Sequence, residues 1–548
     1  MTVKRLFSVI SATMLSLSLS ACGKTTDSPS AKEEKEEQST YKEFDGIYAA
    51  RLTPVNEGNE IQQLIAEKTG VILKQQFIAD QDDINQTFSD MIIKNKYPDF
   101  MAPDAANCQE LIKAGAFIPI DNYWDKYPNI KALYSDNQWD LARAADGHIY
   151  YIPLFNSVNT RDVYPTHSGE AFWVQVKVLE WANYPELKTL DDFFDLIESY
   201  LEENPTNENG EPYIGYEIEA NDAWFFALDN PPMFLDGYPN DGCCIVDPET
   251  RVAKDYNLSE TAQKWFKKLN EEYQKGVIDP ECFVMTSDQY YSKLGTGRVL
   301  GLVDQRWNFN SAVNKLPEDC TYIPFGITID ESIQPRYRDK NSFDGSAGAG
   351  ISISCSDPEG AMKFISDLLE PDVHLLRFWG IEDVDYTVRD DGVFEMTNEQ
   401  YARWNDADYK VNHVCTYDYM PQIQGLAADG INAYQPANQP NIFYQQLSES
   451  VKKCFSAYGV QTFAEMLNEP EDNPPWYPMW TFSNAVTDDT DYGRIMKQID
   501  ALKHKDLPLI VMSEDFDAAW SNYVEEYGSI DTQVYFDELT AEVQRRCK

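Results

Sequence analysis

Positive charge, histidine and long apolar stretches are scarce in this chain. Its 45 Lys and Arg residues stand against 91 Asp and Glu residues, so the formal charge of the 548 residues is −46. Such an acidic surface repels phosphate backbones and anionic lipid headgroups, which excludes nucleic acid as a partner. After residue 19, no apolar run reaches the roughly 18–20 residues that a membrane-spanning helix needs.

Motifs for metal binding and catalysis are missing as well. The five histidines show no zinc-like spacing with cysteine, and no Cys-x-x-Cys occurs. The sequence has no Gly-rich phosphate loop, Gly-x-Ser-x-Gly elbow or His-Glu-x-x-His. No cofactor is expected. The sequence has ten cysteines. The nine other than Cys22 are interpreted as mostly buried thiols, with one or two disulfides possible.

Residues 1–21 have the layout of a lipoprotein signal peptide. Lys4 and Arg5 precede an apolar run, and Leu-Ser-Ala-Cys-Gly then ends at Gly23. This segment resembles a bacterial lipobox, so we expect lipidation (palmitate) of Cys22 and a lipid anchor in the cell membrane, facing outside the cytoplasm. The alternative is an ordinary secretory signal that contains a cysteine.

Residues 22–43 are polar and densely charged. They cannot bury enough apolar surface to fold, so we expect a disordered tether. The alternative is a charged helix within this segment. Removal of the 21-residue signal peptide from 548 residues leaves 527 (548 − 21). A chain of this length is too long for one hydrophobic core, so we expect at least two domains.

Helix and strand patterns alternate from Phe44 onward. Apolar periodicity predicts helices at 60–68, 83–94, 190–202, 259–274 and 357–369, and strands at 71–73, 298–303 and 351–354. This alternation favours an α/β fold with mostly parallel sheets. The Gly/Ala-rich stretch 345–350 is interpreted as a hinge.

Several short segments carry a family resemblance. They are Tyr97 to Asp99, Ala114 to Asp121, Asp146 to Pro153, Lys188 to Phe194, Tyr273 to Pro280 and Phe378 to Tyr386. Their number, order and spacing over about residues 44–540 resemble extracellular solute-binding protein family 1, in its large lipoprotein-type oligosaccharide-binding branch. The resemblance implies an α/β, two-lobed, periplasmic-binding-protein-like (type II) fold with a hinge and an interlobe cleft.

The same resemblance implies the domain division and the biological role. Lobe 1 would comprise 44–160 plus 346–415, and lobe 2 would comprise 161–345 plus 416–548. The protein would be a monomeric, non-enzymatic ABC-importer lipoprotein that captures an oligosaccharide in the cleft and delivers it to the membrane permease.

A sugar site needs flat aromatic rings for C–H faces and polar side chains for hydroxyls. The candidate ligand-binding residues that combine these properties are Trp307, Arg306, Trp224, Phe225, Asp104, Asn107, Asn156, Trp476 and Trp480. Alternatives remain at several positions. Trp307 and Phe225 are also compatible with a core, Asp104 with a helix N-cap, and the 474–480 loop with a surface loop folded on itself.

Members of this branch can carry a calcium loop, and residues 204–211 occupy the matching region. Pro205 would stand at the first ligand position and Tyr216 at the twelfth, where oxygen ligands belong. The loop is therefore interpreted as degraded, although calcium remains possible.

The acidic charge favours a neutral oligosaccharide, unless Arg306, Arg336 or Arg338 offsets the field locally. Three alternatives stay open. The first is a membrane-anchored extracellular glycoside hydrolase, which needs two carboxylates roughly 5–10 Å apart. The second is a binder of peptides or other solutes with the same fold, and the third is a surface adhesin.

Overall fold

The computed structural model describes residues 41–50, 52–78, 83–154, 159–220, 224–340, 343, 345–484 and 486–547. The signal peptide, Cys22 and nearly all of the predicted tether lie outside these residues. The first strand, β1 (Lys42–Tyr48), begins inside the predicted tether, because Lys42 and Glu43 pair with Val71 and Ile72 of the next strand. In the described part of the chain, no helix is both long and apolar enough to cross a membrane.

The first sheet contains five strands in the order β2-β1-β3-β11-β4. Besides β1, they are β2 (Val71–Phe77), β3 (Phe100–Ala102), β4 (Tyr151–Pro153) and β11 (Gly348–Ile351). Strand β1 is parallel to β2 and β3, whereas β11 is antiparallel to both β3 and β4. Strand β11, which lies between β3 and β4, therefore comes from a part of the sequence that follows the whole second sheet.

The second sheet contains four strands in the order β10-β5-β9-β6. They are β5 (Glu170–Gln175), β6 (Ile214–Glu217), β9 (Val299–Gln305) and β10 (Tyr322–Phe325). Only β6 and β9 run parallel here, so the prediction of mostly parallel sheets is wrong for this sheet. Two small antiparallel pairs complete the strands: β7 (Ile245–Val246) with β8 (Ala253–Lys254), and β12 (Thr387–Val388) with β13 (Phe394–Glu395).

Helices cover both sheets. Those before β5 are α1 (Glu60–Thr69), α2 (Ile84–Lys94), α3 (Ala105–Lys113), α4 (Pro128–Lys131) and α5 (Asp136–Leu141). Those from β5 to β10 are α6 (Val176–Trp181), α7 (Leu190–Glu203), α8 (Phe226–Asp229), α9 (Pro231–Leu235), α10 (Glu260–Lys275), α11 (Ser287–Leu294) and α12 (Arg306–Val313). Those after β11 are α13 (Pro358–Leu368), α14 (Pro371–Trp379), α15 (Asn398–Trp404), α16 (Ala407–Asn412), α17 (Pro440–Gln446), α18 (Glu449–Tyr458), α19 (Trp480–Ser483), α20 (Asp491–Met512), α21 (Phe516–Gly528) and α22 (Gln533–Arg546).

Helix ends follow the capping residues that the sequence contains. Thr189 and Asp192 form a capping box at the start of α7, and Ser259 accepts a hydrogen bond at the start of α10. Gly276 ends α10 in the left-handed conformation that glycine adopts without strain. The predicted helices at 190–202 and 259–274 are therefore confirmed to within a residue at either end.

Each sheet has its own hydrophobic core. The first core gathers Phe44, Phe100 and Ile351, and the second gathers Trp173 and Trp265. Tyr417 and Met420 pack in the first core, beyond the predicted lobe boundary at 415. Arg377 of α14 is fully buried there, and its guanidinium donates to the carbonyls of Tyr417 and Met420 at 3.1 and 3.4 Å.

The Gly/Ala-rich stretch is a strand rather than a hinge. Residues 348–351 form β11, and a β-carbon on Gly350 would lie 2.6 Å from the Phe117 ring. A β-carbon on Gly348 would lie 2.0 Å from the carbonyl oxygen of Ile152 in the neighbouring strand. Glycine is needed here because other atoms already occupy the space that a side chain would fill.

The substitution Gly348→Ala should lower the free energy of unfolding by about 1–3 kcal/mol, because the added methyl group overpacks the centre of the first sheet. Gly528→Ala at the end of α21 is the control, since no atom lies within 4 Å of its built β-carbon. That control should change stability by less than about 1 kcal/mol. Urea unfolding followed by circular dichroism measures both, and equal effects would contradict the packing explanation.

Candidate functional site

Three strand ends meet at one edge of the second sheet. Strands β6 and β9 run parallel and end at Glu217 and Gln305, whereas β5 runs antiparallel and begins at Glu170, opposite Gln305. We call this the second-sheet edge. Strand ends and the loops that leave them are common positions for ligand-binding side chains in α/β folds.

Two tryptophans meet at the second-sheet edge. Trp307 is 54% exposed, and its ring lies edge-to-face with the partly buried ring of Trp224, with centroids 5.6 Å apart. The indole nitrogen of Trp307 donates to the Gln305 side chain, which fixes the ring orientation. The pair therefore offers an accessible aromatic surface of known geometry, as a sugar C–H face requires.

Polar groups lie directly beneath this aromatic pair. The Asn308 amide donates to Glu219 at 2.8 Å and to Asp304 at 3.0 Å, and its carbonyl oxygen accepts from the Tyr291 hydroxyl at 2.5 Å. Asp304 also accepts from the Tyr290 hydroxyl at 2.8 Å. Because this network is anchored in the buried end of β9, the helix that carries Trp307 is held rigidly.

Burial raises the pKa values of the carboxyl groups around this edge. It raises the pKa of Asp304 to about 7 and that of Glu170 well above its ordinary value. The pKa of Glu217 is raised to about 9 by burial and by the neighbouring carboxylate of Asp279. Neutral forms of these groups therefore persist near neutral pH, which reduces the negative charge behind the aromatic pair.

A pH dependence of stability follows from Glu217. Its raised pKa means that the folded protein holds a proton that the unfolded chain has released, so its contribution to stability is lost as the pH rises towards 9. Between pH 6 and pH 8, the free energy of unfolding should fall with rising pH in both proteins. The fall should be smaller in the Glu217→Gln variant, by about 1.4 kcal/mol per pH unit. Urea unfolding at both pH values measures this slope. Glu271→Gln, at an exposed position of α10, is the control, and equal slopes for Glu217→Gln and the unaltered protein would contradict the prediction.

Trp480 is linked to the same edge through a loop. It is 46% exposed, and its backbone nitrogen donates to Asp241 at 3.2 Å. The neighbouring Asn240 donates to Glu170 at 2.5 Å. Hydrogen bonds therefore connect the loop beneath Trp480 to the strand end opposite Gln305.

The structure does not place Trp476 and Phe225 on an accessible surface. Trp476 is 7% exposed within the second core, and its carbonyl oxygen accepts from Arg546 of α22 at 2.9 Å. Phe225 is 5% exposed and stacks on the His504 ring at 3.9 Å. Both rings already have packing partners and offer little accessible surface to a ligand.

Asp104 and Asn107 lie at the start of α3 and stabilise that helix end. Asp104 caps α3 by accepting from the backbone of Asn107 at 2.9 Å, as the N-cap alternative expects. The Asn107 amide donates to Asp104 and to Asn85, so its donors are already engaged. Asn156 lies outside the described residues.

The predicted degraded calcium loop is closed by its own hydrogen bonds. The Asn207 side chain accepts from the backbone of Asn209 and Glu211 and donates to the Glu211 carboxylate at 2.9 Å. Across the described residues, no group of three or more His, Cys, Asp or Glu side chains could hold a metal ion. The nine cysteines described there are all free thiols.

Sequence reasoning missed the polar residues of the site. Glu170, Asp304 and Asn308 all lie beside apolar or aromatic neighbours in sequence, which was the available signal. A carboxylate in an otherwise apolar strand needs a specific partner. The partners, such as Asn240 for Glu170, come from distant positions in the chain.

Comparisons with known proteins identify the fold. No protein-family profile matches the chain, and no curated protein matches it. Among solved structures, an HMO-binding, ABC-transporter-associated solute-binding protein from Bifidobacterium longum infantis is 15% identical. That alignment covers 93% of this chain and 99% of that chain, with a TM-score of 0.51.

Two further structures agree. An extracellular solute-binding protein from Bifidobacterium longum subsp. infantis is 14% identical over 93% of this chain and 99% of that chain, with a TM-score of 0.51. The S. pneumoniae ABC-transporter substrate-binding protein FusA, an EF-hand mutant in complex with fructo-nystose, is 16% identical over 92% of this chain and 99% of that chain, with a TM-score of 0.50. These likenesses confirm the predicted two-lobed, solute-binding-protein-like α/β fold.

Proposed function

We propose that this protein is the substrate-binding component of an ABC importer and that it captures an oligosaccharide. The observation that carries the proposal is the accessible Trp307–Trp224 pair above a network of amide, hydroxyl and carboxyl groups. Two similar structures also favour oligosaccharide binding, since one is an HMO-binding protein and the other is in complex with fructo-nystose.

The chemistry of the site suits a sugar. One face of a pyranose ring presents C–H bonds that pack on an aromatic surface, while its edges carry hydroxyls. Gln305 supplies an amide beside Trp307, and the partly exposed Tyr291 supplies a hydroxyl. Asn308 is buried and its amide is engaged by Glu219, Asp304 and Tyr291, so it supports the site and is not a ligand contact. A site of this composition binds through many modest contacts and needs no reactive group.

Binding without catalysis is supported by the burial of the nearby carboxyl groups. Asp304 is fully buried and Glu219 is 1% exposed, and both accept hydrogen bonds from Asn308. A glycoside hydrolase needs two carboxyl groups that reach the scissile bond from opposite sides. These two lie beneath the aromatic pair, which favours a binding protein over a hydrolase.

The biological setting of the proposal comes from the sequence. Cleavage before Cys22 and its lipidation would anchor the protein outside the cell membrane, and residues up to Tyr41 would act as a tether. The protein would act as a monomer that passes its ligand to the permease subunits. Cys22→Ala should release it into the culture medium with sugar binding intact, and retention at the membrane would contradict a lipid anchor on this residue.

Isothermal titration against a panel of oligosaccharides tests the binding function. We expect heat and a raised melting temperature with at least one oligosaccharide, and no release of reducing sugar. Short peptides serve as the comparison ligands. A response to peptides without a response to any sugar would overturn the proposal in favour of a peptide binder, and release of reducing sugar would favour a hydrolase.

A further inference from the structure

Among the residues that the structure describes, no carboxylate forms an ion pair with the guanidinium group of Arg306. Its Nη1 atom is buried and has no hydrogen-bond acceptor among the described residues. Its central carbon lies 4.3 Å from the centre of the Phe463 ring, a cation–π contact that supplies no hydrogen-bond acceptor for the N–H groups.

The other two arginines that could offset the acidic field have partners. Arg336 pairs with Asp339 at 2.9 Å, and Arg338 donates to the Ala464 carbonyl at 3.2 Å and faces Asp162 at 3.9 Å. A buried N–H group without an acceptor is costly, so its retention calls for an explanation such as an ordered water or a ligand.

The charged and titratable groups around Arg306 do not neutralise it. His167 lies close enough for burial and the charges of Arg338 and Arg306 to lower its pKa to about 4, so it is a neutral neighbour at pH 7. Glu170 begins the strand beside Gln305, and burial raises its pKa well above the ordinary range. Within the described part of the chain, the positive charge of Arg306 at the second-sheet edge is therefore not balanced by a paired carboxylate.

The position of Arg306 ties this charge to the aromatic pair. It is the first residue of α12, and Trp307 is the second. Successive residues of a helix point about 100° apart, so the two side chains leave the first turn of α12 in different directions: the indole ring lies against Trp224, and the guanidinium lies against Phe463. An oligosaccharide is longer than one ring, so a sugar stacked on Trp307 can extend a substituent around this turn towards Arg306.

We propose that the oligosaccharide carries an anionic group and that Arg306 binds this group beside the ring stacked on Trp307. Carboxylates, sulfate esters and phosphate esters share the required chemistry, since each offers two oxygens to the guanidinium fork. This inference rests on the proposed function and replaces the expectation of a neutral ligand.

Distance explains why the net charge of −46 does not forbid an acidic ligand. Interactions with exposed charges are largely screened beyond about 10 Å at 0.1 M salt, whereas a contact pair in a partly buried site is screened much less. The repulsion should therefore slow the approach of an acidic sugar at low salt, and the Arg306 contact should hold the sugar once it is bound.

Titration of matched sugars tests the inference. The probes are lactose with 3′-sialyllactose, and neutral oligosaccharides with counterparts that end in a uronic acid or a sulfated sugar. We expect an acidic member to bind at least tenfold more tightly than its neutral counterpart. Arg306→Gln should abolish that preference, and Arg306→Lys should keep part of it.

The control is Arg298→Gln, which removes the same charge just before the opposite end of β9. Arg298 donates to the Pro212 carbonyl at 2.9 Å, and its buried Nε atom also lacks an acceptor among the described residues, so the control separates the position of the charge from the missing hydrogen bond. This control should keep the preference. Equal binding of neutral and acidic counterparts, or a preference that survives in Arg306→Gln, would overturn the inference and leave a structural arginine. Failure of every sugar would instead overturn the proposed function itself, so the two failures are distinguishable.

Discussion

The Trp307→Ala variant is expected to bind its oligosaccharide at least about tenfold more weakly, which corresponds to about 1.4 kcal/mol. The indole ring is half exposed, is oriented by Gln305 and lies against Trp224, so it is preorganised for stacking. Truncation to alanine removes the exposed ring of the pair and leaves Trp224 with Phe226 as its edge-to-face partner. Isothermal titration with the best ligand of the panel measures the change.

A second exposed tryptophan gives a matched control. Trp181 is 37% exposed and ends α6, which follows the opposite end of β5 from Glu170. Trp181→Ala should therefore leave the affinity unchanged. If Trp307→Ala also binds normally while its melting temperature is retained, the ligand site lies elsewhere in the protein.

The Arg377→Leu variant should lose about 3–5 kcal/mol of the free energy of unfolding. The buried guanidinium donates to the carbonyls of Leu368, Thr416, Tyr417, Met420 and Pro421. Burial lowers the pKa of Arg377 only to about 10, so the side chain stays charged at neutral pH. Leucine would leave several buried carbonyls without donors, each costing about 1–3 kcal/mol before relaxation.

Arg389→Leu provides the comparison for Arg377. Arg389 pairs with Asp391 at 2.7 Å, and both side chains are about half exposed. Its replacement should change stability by less than about 1 kcal/mol, as is usual for surface ion pairs. Chemical unfolding measures the free energy of unfolding of both variants. Similar losses in the two would show that the carbonyl contacts of Arg377 do not account for its contribution to stability.

Local patterns in the sequence predicted the helices well but not the packing of aromatic residues. The start of α10 is predicted by Ser259 and its end by Gly276, because caps act within one turn. Trp476 and Trp480 lie in one proline-rich segment and could not be told apart in this way. Their different burial depends partly on Arg546, which donates to the carbonyls of Trp476 and Pro478 from the last helix.

The candidate site shows the same division. Sequence reasoning left Trp307 open between a ligand site and the core. The structure leaves it 54% exposed, whereas its role in binding stays a prediction. The missing acceptor of Arg306 could not be predicted, because it depends on which residues the fold brings near the guanidinium. The interpretation of the glycine-rich stretch 345–350 as a hinge was wrong for a similar reason. Glycine composition alone does not distinguish a flexible segment from a crowded strand such as β11.

The position of β11 between β3 and β4 has a consequence for the synthesis of the protein. About 200 residues separate the end of β4 from the end of β11, and a ribosome that adds 5–20 residues per second needs roughly 10–40 s to make them. During that time the edges of β3 and β4 lack their common partner strand and are exposed to mispairing. A nascent chain of this kind benefits from a chaperone that covers those edges until β11 has emerged. For the same reason, an expression fragment that stops before residue 346 should aggregate.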